Sequence, residues 1–243
     1  MAKIGIDFGT SFTTMSYVNR HGLATPIKVY GKEKIPTMLY FPEDGGVALW
    51  GEAAYNKYQD CMDADTPETA DLILGGIITG LKRNMSRKGF VATPQGNMSY
   101  ISVIALFLGF LKKYAEDHVF EGESITDVCI TYPVAFDWQT EKKEILKEAA
   151  AEAGFRHIKL LKESVAALMG YENSHEIKNE GVLIYDFGGG TFDIAYVMFD
   201  HISEQYMLPP IGDGECGGQN IDLALYENWD KKVQTQKKRH ISE

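Results

Sequence analysis

The chain is 243 residues long, 44% hydrophobic and 24% charged, with a formal net charge of −10. That length suits one or two domains with a substantial buried core, and the composition is globular, which excludes wholesale disorder. The negative balance argues against non-specific nucleic-acid binding, which needs a positive surface. It leaves room for a nucleotide whose phosphates a metal ion neutralises locally.

The first stretch, Lys3 to Val18, reads as strand, glycine turn, strand. Its start carries no signal-peptide h-region. The longest apolar run, Tyr100 to Leu111, is too short for a bilayer, which takes about 20 residues. A soluble, cytoplasmic protein with no membrane contact is expected. Cys61, Cys129 and Cys216 are odd in number and far apart, matching no disulfide or metal framework, so free thiols are expected.

Ile35 to Leu49 reads as a hairpin or extended segment, with Pro36 and Pro42 confined to edges. A short helix is expected over Gly51 to Asp60. Thr66 and Pro67 form a helix start, cap then first position, and the pattern after them stays helix-like through Met85, weakened by Gly75, Gly76 and Gly80. Lys82, Arg83, Arg87 and Lys88 make a local basic group, read as solvated surface, with closure over phosphates as the alternative. Ser99 to Val119 is the clearest long helix, with Ile101, Ile104, Ala105, Leu108, Leu111 and Ala115 at helical spacing. Val128 to Tyr132 is a buried strand ending at Pro133. Asp137 is expected to cap a helix running to Ala153, which Gly154 ends. A strand over Ile158 to Leu161 and a helix over Ser164 to Tyr171 follow, and Asn173 to Gly181 is the candidate boundary between lobes.

Val182 to Val197 is again an apolar run, a turn of Gly188, Gly189 and Gly190, and a second apolar run: a β-hairpin. Three bare backbone N–H groups can close around an anion. Asp186 and Asp193 would repel that anion unless a cation lay between, so glycines, acids and Thr191 together suggest a metal–phosphate site. An ordinary tight hairpin with acidic shoulders is the alternative. Shifted by 179 residues, Asp7-Phe8-Gly9 falls on Asp186-Phe187-Gly188 and Tyr17-Val18 on Tyr196-Val197, without a gap. A period that long is a duplicated half rather than a solenoid. Two lobes, each offering a phosphate-binding hairpin, would leave a cleft between them.

Glu204 to Leu208 is expected as a strand, and Asn220 to Val233 as a helix ending in a solvated basic tail of Lys231, Lys232, Lys237, Lys238 and Arg239. Gly212, Gly214 and Gly217 fit G-x-G-x-x-G, but two prolines precede them and too little chain follows for a βαβ unit. The repeated Asp-Phe-Gly lacks the companion motifs of protein kinases. His21, His118, His157, His175, His201 and His240 are scattered without ligand spacing.

Five segments in order carry a family resemblance: Gly5 to Ser11, Ile130 to Phe136, Glu163 to Leu168, Asp186 to Asp193 and Gly212 to Gly218. Together they resemble the ATPase domain of the DnaK-type heat-shock chaperones, in the actin-like superfamily, from Lys3 to about Asp222. The resemblance implies an α/β fold of the actin-like ATPase type with ribonuclease-H-like sheets, and ATP or ADP with Mg²⁺ at the base of the cleft. By matching position, Asp7 and Asp186 hold a hydrated metal, while Glu163 and Asp193 orient metal-bound and attacking waters. Gly9, Thr10, Ser11 and Phe12 form the first phosphate loop; Gly188, Gly189, Gly190 and Thr191 the second; Gly217 and Gly218 a phosphate-side turn. The acids and Thr191 form the implied catalytic set. Implied partners in a full-length protein are a substrate domain, co-chaperones and unfolded polypeptides.

The departures bear on activity. Where the family has a lysine after Gly-x-Ala-Ala, this chain has Gly51-Glu52-Ala53-Ala54 and then Tyr55. Lys57 lies about 200° around the helix and is a poor substitute. Weak or absent hydrolysis is therefore expected. The family's Glu-Pro is Glu163-Ser164, and an arginine of its interdomain relay is Glu141, which puts coupling to a substrate domain in question. The expected organisation is lobe I over 1–178, with an inserted subdomain at about 36–97, and an incomplete start of lobe II over 179–243. That incomplete lobe would expose strand edges and self-associate or order poorly. The competing readings are a non-hydrolysing regulator or scaffold of the same fold, and a small-molecule kinase of the same superfamily.

Overall fold

In the computed structural model, residues 2–173, 175, 181–199, 205–207 and 209–237 are described. In chain order the elements are β1 (Ala2–Phe8), β2 (Phe12–Val18), β3 (Ala24–Ile27), β4 (Ile35–Pro36), β5 (Leu39–Tyr40), β6 (Leu49–Trp50), α1 (Glu52–Met62), α2 (Pro67–Gly76), β7 (Ile77–Ile78) and α3 (Leu81–Asn84). There follow β8 (Phe90–Thr93), β9 (Gly96–Ser99), α4 (Tyr100–His118), β10 (Ile125–Tyr132), α5 (Thr140–Glu152), β11 (His157–Lys162) and α6 (Glu163–Glu172). The last are β12 (Gly181–Phe187), β13 (Phe192–Phe199), β14 (Gln205–Met207), β15 (Ile211–Asp213) and α7 (Gly218–Lys237). The fold is α/β, as the resemblance implies, with one mixed sheet and three antiparallel ones among the described residues.

The main sheet has the order β11-β10-β1-β2-β3, with β4 paired to the turn-side end of β2. β1 runs parallel to β10 and antiparallel to β2. Strict alternation along β1 buries Ala2, Ile4, Ile6 and Phe8 and sends Lys3 and Asp7 to the other face. Phe8 meets Phe107 of α4, ring centroids 6.2 Å apart. Ser99 caps α4 by accepting the Ser102 N–H at 3.0 Å, and Val103, Ile104, Phe107, Leu108 and Leu111 are buried. α5 packs beside α4 through Ile145, Leu146, Ala149 and Ala150. The main hydrophobic cluster lies entirely between Ala2 and Phe155.

Two sequence expectations change here. Thr66 caps α2 and Pro67 opens it as expected, but the helix does not continue toward Met85. It stops at Gly76, where an added Cβ would lie 2.3 Å from the Phe41 carbonyl oxygen. Ile77 and Ile78 then pair with β5 in a small sheet, and Gly80, at φ +64°, turns the chain into α3. Strand pairing outcompeted a glycine-weakened helix. Asp137, secondly, does not cap α5. It lies in a 3₁₀ turn over Val134–Asp137, and the α5 cap position is Gln139, without a side-chain bond. Gly154 does end α5, at φ +90°. The Gly154 N–H bonds the Ala151 carbonyl and the Phe155 N–H the Ala150 carbonyl, the two bonds of a Schellman motif.

β12 and β13 form the second hairpin, and β13 also pairs with β14 and β15. The 179-residue shift predicts its register. Asp7 faces Thr14 and Phe8 faces Thr13; Asp186 faces Asp193 and Phe187 faces Phe192. The likeness extends past the hairpins. β2 pairs with β3 at its far end and β4 at its turn end, and β13 does the same with β14 and β15. Of the expected lobe boundary, residues 174 and 176–180 lie outside the described residues, as do Glu204 and Leu208 of the expected strand. Lys238, Arg239, His201 and His240 lie outside them too. α7 begins at Gly218, two residues earlier than expected.

Candidate functional site

The two glycine turns face each other around a cavity of about 200 Å³. It is lined by Asp7, Gly9, Thr10, Ser11, Phe12, Lys82, Glu163, Asp186, Gly188, Gly189 and Thr191. β1 delivers Asp7 and β12 delivers Asp186, each two residues before its turn glycine. Glu163 is the first residue of α6, where β11 ends. Lys162 just before it is pinned by Asp137 at 2.7 Å, and Lys143 binds the same carboxylate at 3.0 Å. The residue expected to cap α5 thus fixes the approach to Glu163 instead.

Thr131, on β10, donates its hydroxyl to Asp7 Oδ1 at 2.6 Å and so fixes that carboxylate. The Lys82 ammonium is hydrogen-bonded to Glu163 Oε1, with only 4% and 10% of the two side chains exposed. Burial pushes the Glu163 carboxyl up; Lys82 pulls against that, while Asp7 and Asp186 add to it. Asp186 is raised by burial and by Asp7, with Lys82 again opposing. Asp193 is 1% exposed and receives the Val134 N–H at 3.1 Å. It too is raised, by burial first, and its Oδ1 has no hydrogen-bond partner among the described residues. Asp193 stands behind the cavity wall rather than in it.

The glycines permit contact between the loops. A Cβ on Gly189 would lie 2.4 Å from Ser11 Oγ, and one on Gly190 would lie 2.8 Å from Thr10 Oγ1. A Cβ on Gly217 would lie 2.7 Å from the Gly189 and Gly190 backbone. Gly217 and Gly218 do not line the cavity. The Gly217 N–H donates to Asn220 Oδ1 at 3.1 Å and the Gly218 N–H to the Gly188 carbonyl at 3.0 Å. They support the second loop from behind.

The basic group divides. Arg87 and Lys88 are exposed, and Arg87 pairs with Glu148. Arg83 Nη1 reaches Asn220 Oδ1 at 3.3 Å and Gln219 Oε1 at 3.5 Å. Lys82 is buried at the acids, so the solvated-surface reading is corrected for that residue. The physical reason is α3: Leu81 and Met85 are fully packed, which turns the intervening Lys82 inward. The helix-like pattern extended through this segment hid that turn. Thr131 was likewise not singled out; a threonine on a buried strand beside β1 is its only signal. Tyr55 is 38% exposed, lies against Tyr58 and lines other surface hollows with Phe12 and Pro36. Glu141 accepts the Arg87 backbone N–H at 3.4 Å. Among the described residues no group of three or more His, Cys, Asp or Glu is placed to hold a metal ion directly, and no helix is long and apolar enough to cross a membrane.

Comparison with known proteins bears on this cavity. Residues 81–243 match the family described as Hsp70 protein. The chain is 28% identical over 228 residues to the chaperone protein DnaK of Mycoplasmopsis agalactiae, covering 93% of this chain and 35% of that protein. It is 28% identical over 236 residues to the same-named protein of Mycoplasmopsis pulmonis, covering 96% and 36%. Over 233 residues it is 28% identical to that of Ureaplasma parvum serovar 3, covering 94% and 35%. The chain therefore spans about a third of the length of the curated relatives it matches. The family match takes in more than half of the chain, including Lys82, Glu163 and the whole second hairpin, and on that ground the chain belongs to the Hsp70 family.

Proposed function

We propose that this chain is the nucleotide-binding portion of a DnaK-like chaperone and binds the phosphates of Mg-ATP or Mg-ADP between its two Asp-Phe-Gly hairpins. The observation that carries the reading is the single cavity where both glycine turns, three carboxylates and one ammonium converge. Phosphoryl transfer is mostly positioning and charge neutralisation, and these groups supply both.

The residues fit a hydrated Mg²⁺. Of the three carboxylates that line the cavity Glu163 is tied to Lys82, which leaves Asp7 and Asp186, and among the described residues no group of three His, Cys, Asp or Glu is placed to hold a metal directly. Mg²⁺ characteristically keeps several waters and takes only one or two carboxylates. Held through water by Asp7 and Asp186, the ion would draw off negative charge from the phosphates. Thr131 holds Asp7 in one rotamer. Gly9 to Phe12 and Gly188 to Thr191 are the loops that would hold the phosphates, with Thr10, Ser11, Gly189 and Thr191 at the cavity; the Gly188 N–H closes its own turn on the Thr191 carbonyl at 2.9 Å, and Gly190 packs on Thr10 outside the lining. Glu163 and Asp193 stay close by as acceptors for water protons, and Gly217 and Gly218 brace the second loop.

By this reading lobe I is 1–178, with its insert at about 36–97, and 179–243 opens lobe II. The protein works in the cytoplasm, with a substrate domain, co-chaperones and unfolded polypeptides as partners of the longer form. β12, paired only with β13 among the described residues, offers its other edge to a second copy. Calorimetric titration with Mg-ATP and Mg-ADP tests the central claim. Saturable heat that EDTA abolishes is expected; none up to millimolar nucleotide would sink it. Phosphate release by the bound chain separates an ATPase from the scaffold reading that Tyr55 motivates.

A further inference from the structure

The cavity between the glycine turns, about 200 Å³, is small for a whole nucleotide, since pockets that take an entire small molecule run from about 300 to 1,000 Å³. It suits phosphates and their cation, and leaves the uncharged half of the molecule to lie outside it. A hollow of about 510 Å³ opens beside it, and Thr10, Ser11 and Phe12 line both. None of the residues lining this hollow is charged. Tyr55 and Tyr58, three apart on one face of α1, bring two rings to it, centroids 6.3 Å apart and tilted by 37°. Phe12 and Leu74 add apolar surface, 52% and 42% exposed. Exposed apolar groups that converge on one concavity mark a binding surface rather than a core. Thr79 and Gln219 supply a hydroxyl and an amide, each able to donate and to accept. The Gln219 N–H bonds the Gly189 carbonyl at 2.9 Å, which ties this residue to the second glycine turn. A different hollow that shares Phe12 with the cavity is lined by Lys28, Lys32, Lys34, Glu33 and Glu52. Its chemistry suits an ion rather than a neutral ring.

We propose that the uncharged hollow is the nucleoside subsite of this chain: it receives the base and ribose of a nucleotide whose phosphates lie between the glycine turns. This subsite presupposes the nucleotide reading above and adds where the neutral half goes and which residues hold it. A nucleotide has a charged end and a neutral, ring-bearing end, and the two adjoining concavities divide in the same way. The base stacks on the Tyr55 and Tyr58 rings, a contact that any base makes through its flat face. Thr79 and Gln219 meet polar edges of the base or ribose. One glycine turn lines both concavities and Gln219 hangs from the other, so the two halves of the ligand draw on the same pair of loops. Tyr55 thereby gains a binding role that its place on a surface helix does not disclose.

The test uses the 243-residue chain and its Tyr55→Ala, Tyr55→Phe, Tyr55→Ala/Tyr58→Ala and Lys34→Ala variants. Calorimetry measures affinity for Mg-ATP and for Mg-tripolyphosphate, which carries the phosphates without the nucleoside. Thermal unfolding checks that each variant is folded. The parent should bind Mg-ATP more tightly than Mg-tripolyphosphate. Tyr55→Ala should weaken Mg-ATP about tenfold, the worth of one base–aromatic stack, and leave Mg-tripolyphosphate unchanged. Tyr55→Phe keeps the ring and should keep the affinity. Removing both rings should erase most of the preference for Mg-ATP, while Lys34→Ala, in the charged hollow, should leave it intact. Equal affinity of the parent for the two ligands, or a preference that survives loss of both rings, overturns this subsite alone. So does a selective Mg-ATP loss in Lys34→Ala, which would move the nucleoside to the charged hollow. Equal weakening of both ligands by Tyr55→Ala would make that residue merely structural and overturn it too. A parent that binds neither ligand overturns the nucleotide reading itself.

Discussion

At the scale of single residues, two glycines that look alike in the sequence carry different burdens. A methyl on Gly217 meets backbone atoms of Gly189 and Gly190 at 2.7 Å, and backbone cannot step aside. Gly217→Ala should therefore cost about 1–3 kcal/mol in urea unfolding, the range for overpacking. A methyl on Gly189 meets the Ser11 hydroxyl at 2.4 Å, a group that can turn to another rotamer. Gly189→Ala should cost less stability than Gly217→Ala yet abolish the nucleotide titration, because the methyl fills the cradle. Equal stability losses would refute this division of roles. The glycines, Asp7, Asp186 and Glu163 were legible in the sequence because a motif marks each. Lys82 was not, since nothing local distinguishes it from its charged neighbours Arg83, Arg87 and Lys88.

Among elements, the junction of β11 and α6 depends on Asp137. Burial raises its carboxyl, but the hydrogen bonds and charges of Lys162 and Lys143 outweigh that and hold it below the usual range, with Tyr132 the other titratable group facing it. A depressed carboxylate contributes stability that is complete above its unfolded value, about 3.9, and is lost as pH falls through the lower folded value. The stability gap between the parent chain and Asp137→Asn should thus be widest at neutral pH and close below about pH 4. Chemical denaturation across that range measures it, and a gap independent of pH would exclude the mechanism. The sequence placed a helix here correctly and misread its cap. An aspartate before a helix is a good local cap signal, but two lysines from α5 and β11 outbid the backbone for it.

For the molecule as a whole, the two hairpins repeat but their surroundings do not. β1 is flanked by β10 and β2 above a core of α4 and α5, whereas among the described residues β12 has a partner on one side only. Leu183, Tyr185 and Phe187 on β12 are exposed. If second copies pair along that edge, hydrogen exchange of β12 amides should slow as protein concentration rises, while β10 amides stay slow throughout. Exchange of β12 that ignores concentration would remove the self-association proposal.

The sequence by itself determined the α/β class, the duplicated hairpins and their register. It did so because an apolar run on each side of a glycine turn reads as a strand pair, a shift of 179 residues aligns the two copies without a gap, and five motifs together resemble one family. It also marked Asp7, Glu163, Asp186, Gly9, Gly188 and Gly189, which the fold brings to one cavity, while Asp193, Gly190, Gly217 and Gly218 lie outside its lining. Only the tertiary structure decided where α2 ends, what Asp137 binds and which cation meets the acids. Those outcomes depend on competition between groups distant in sequence: β5 against a continuing helix, Lys162 and Lys143 against a cap, and Leu81 and Met85 turning Lys82 inward.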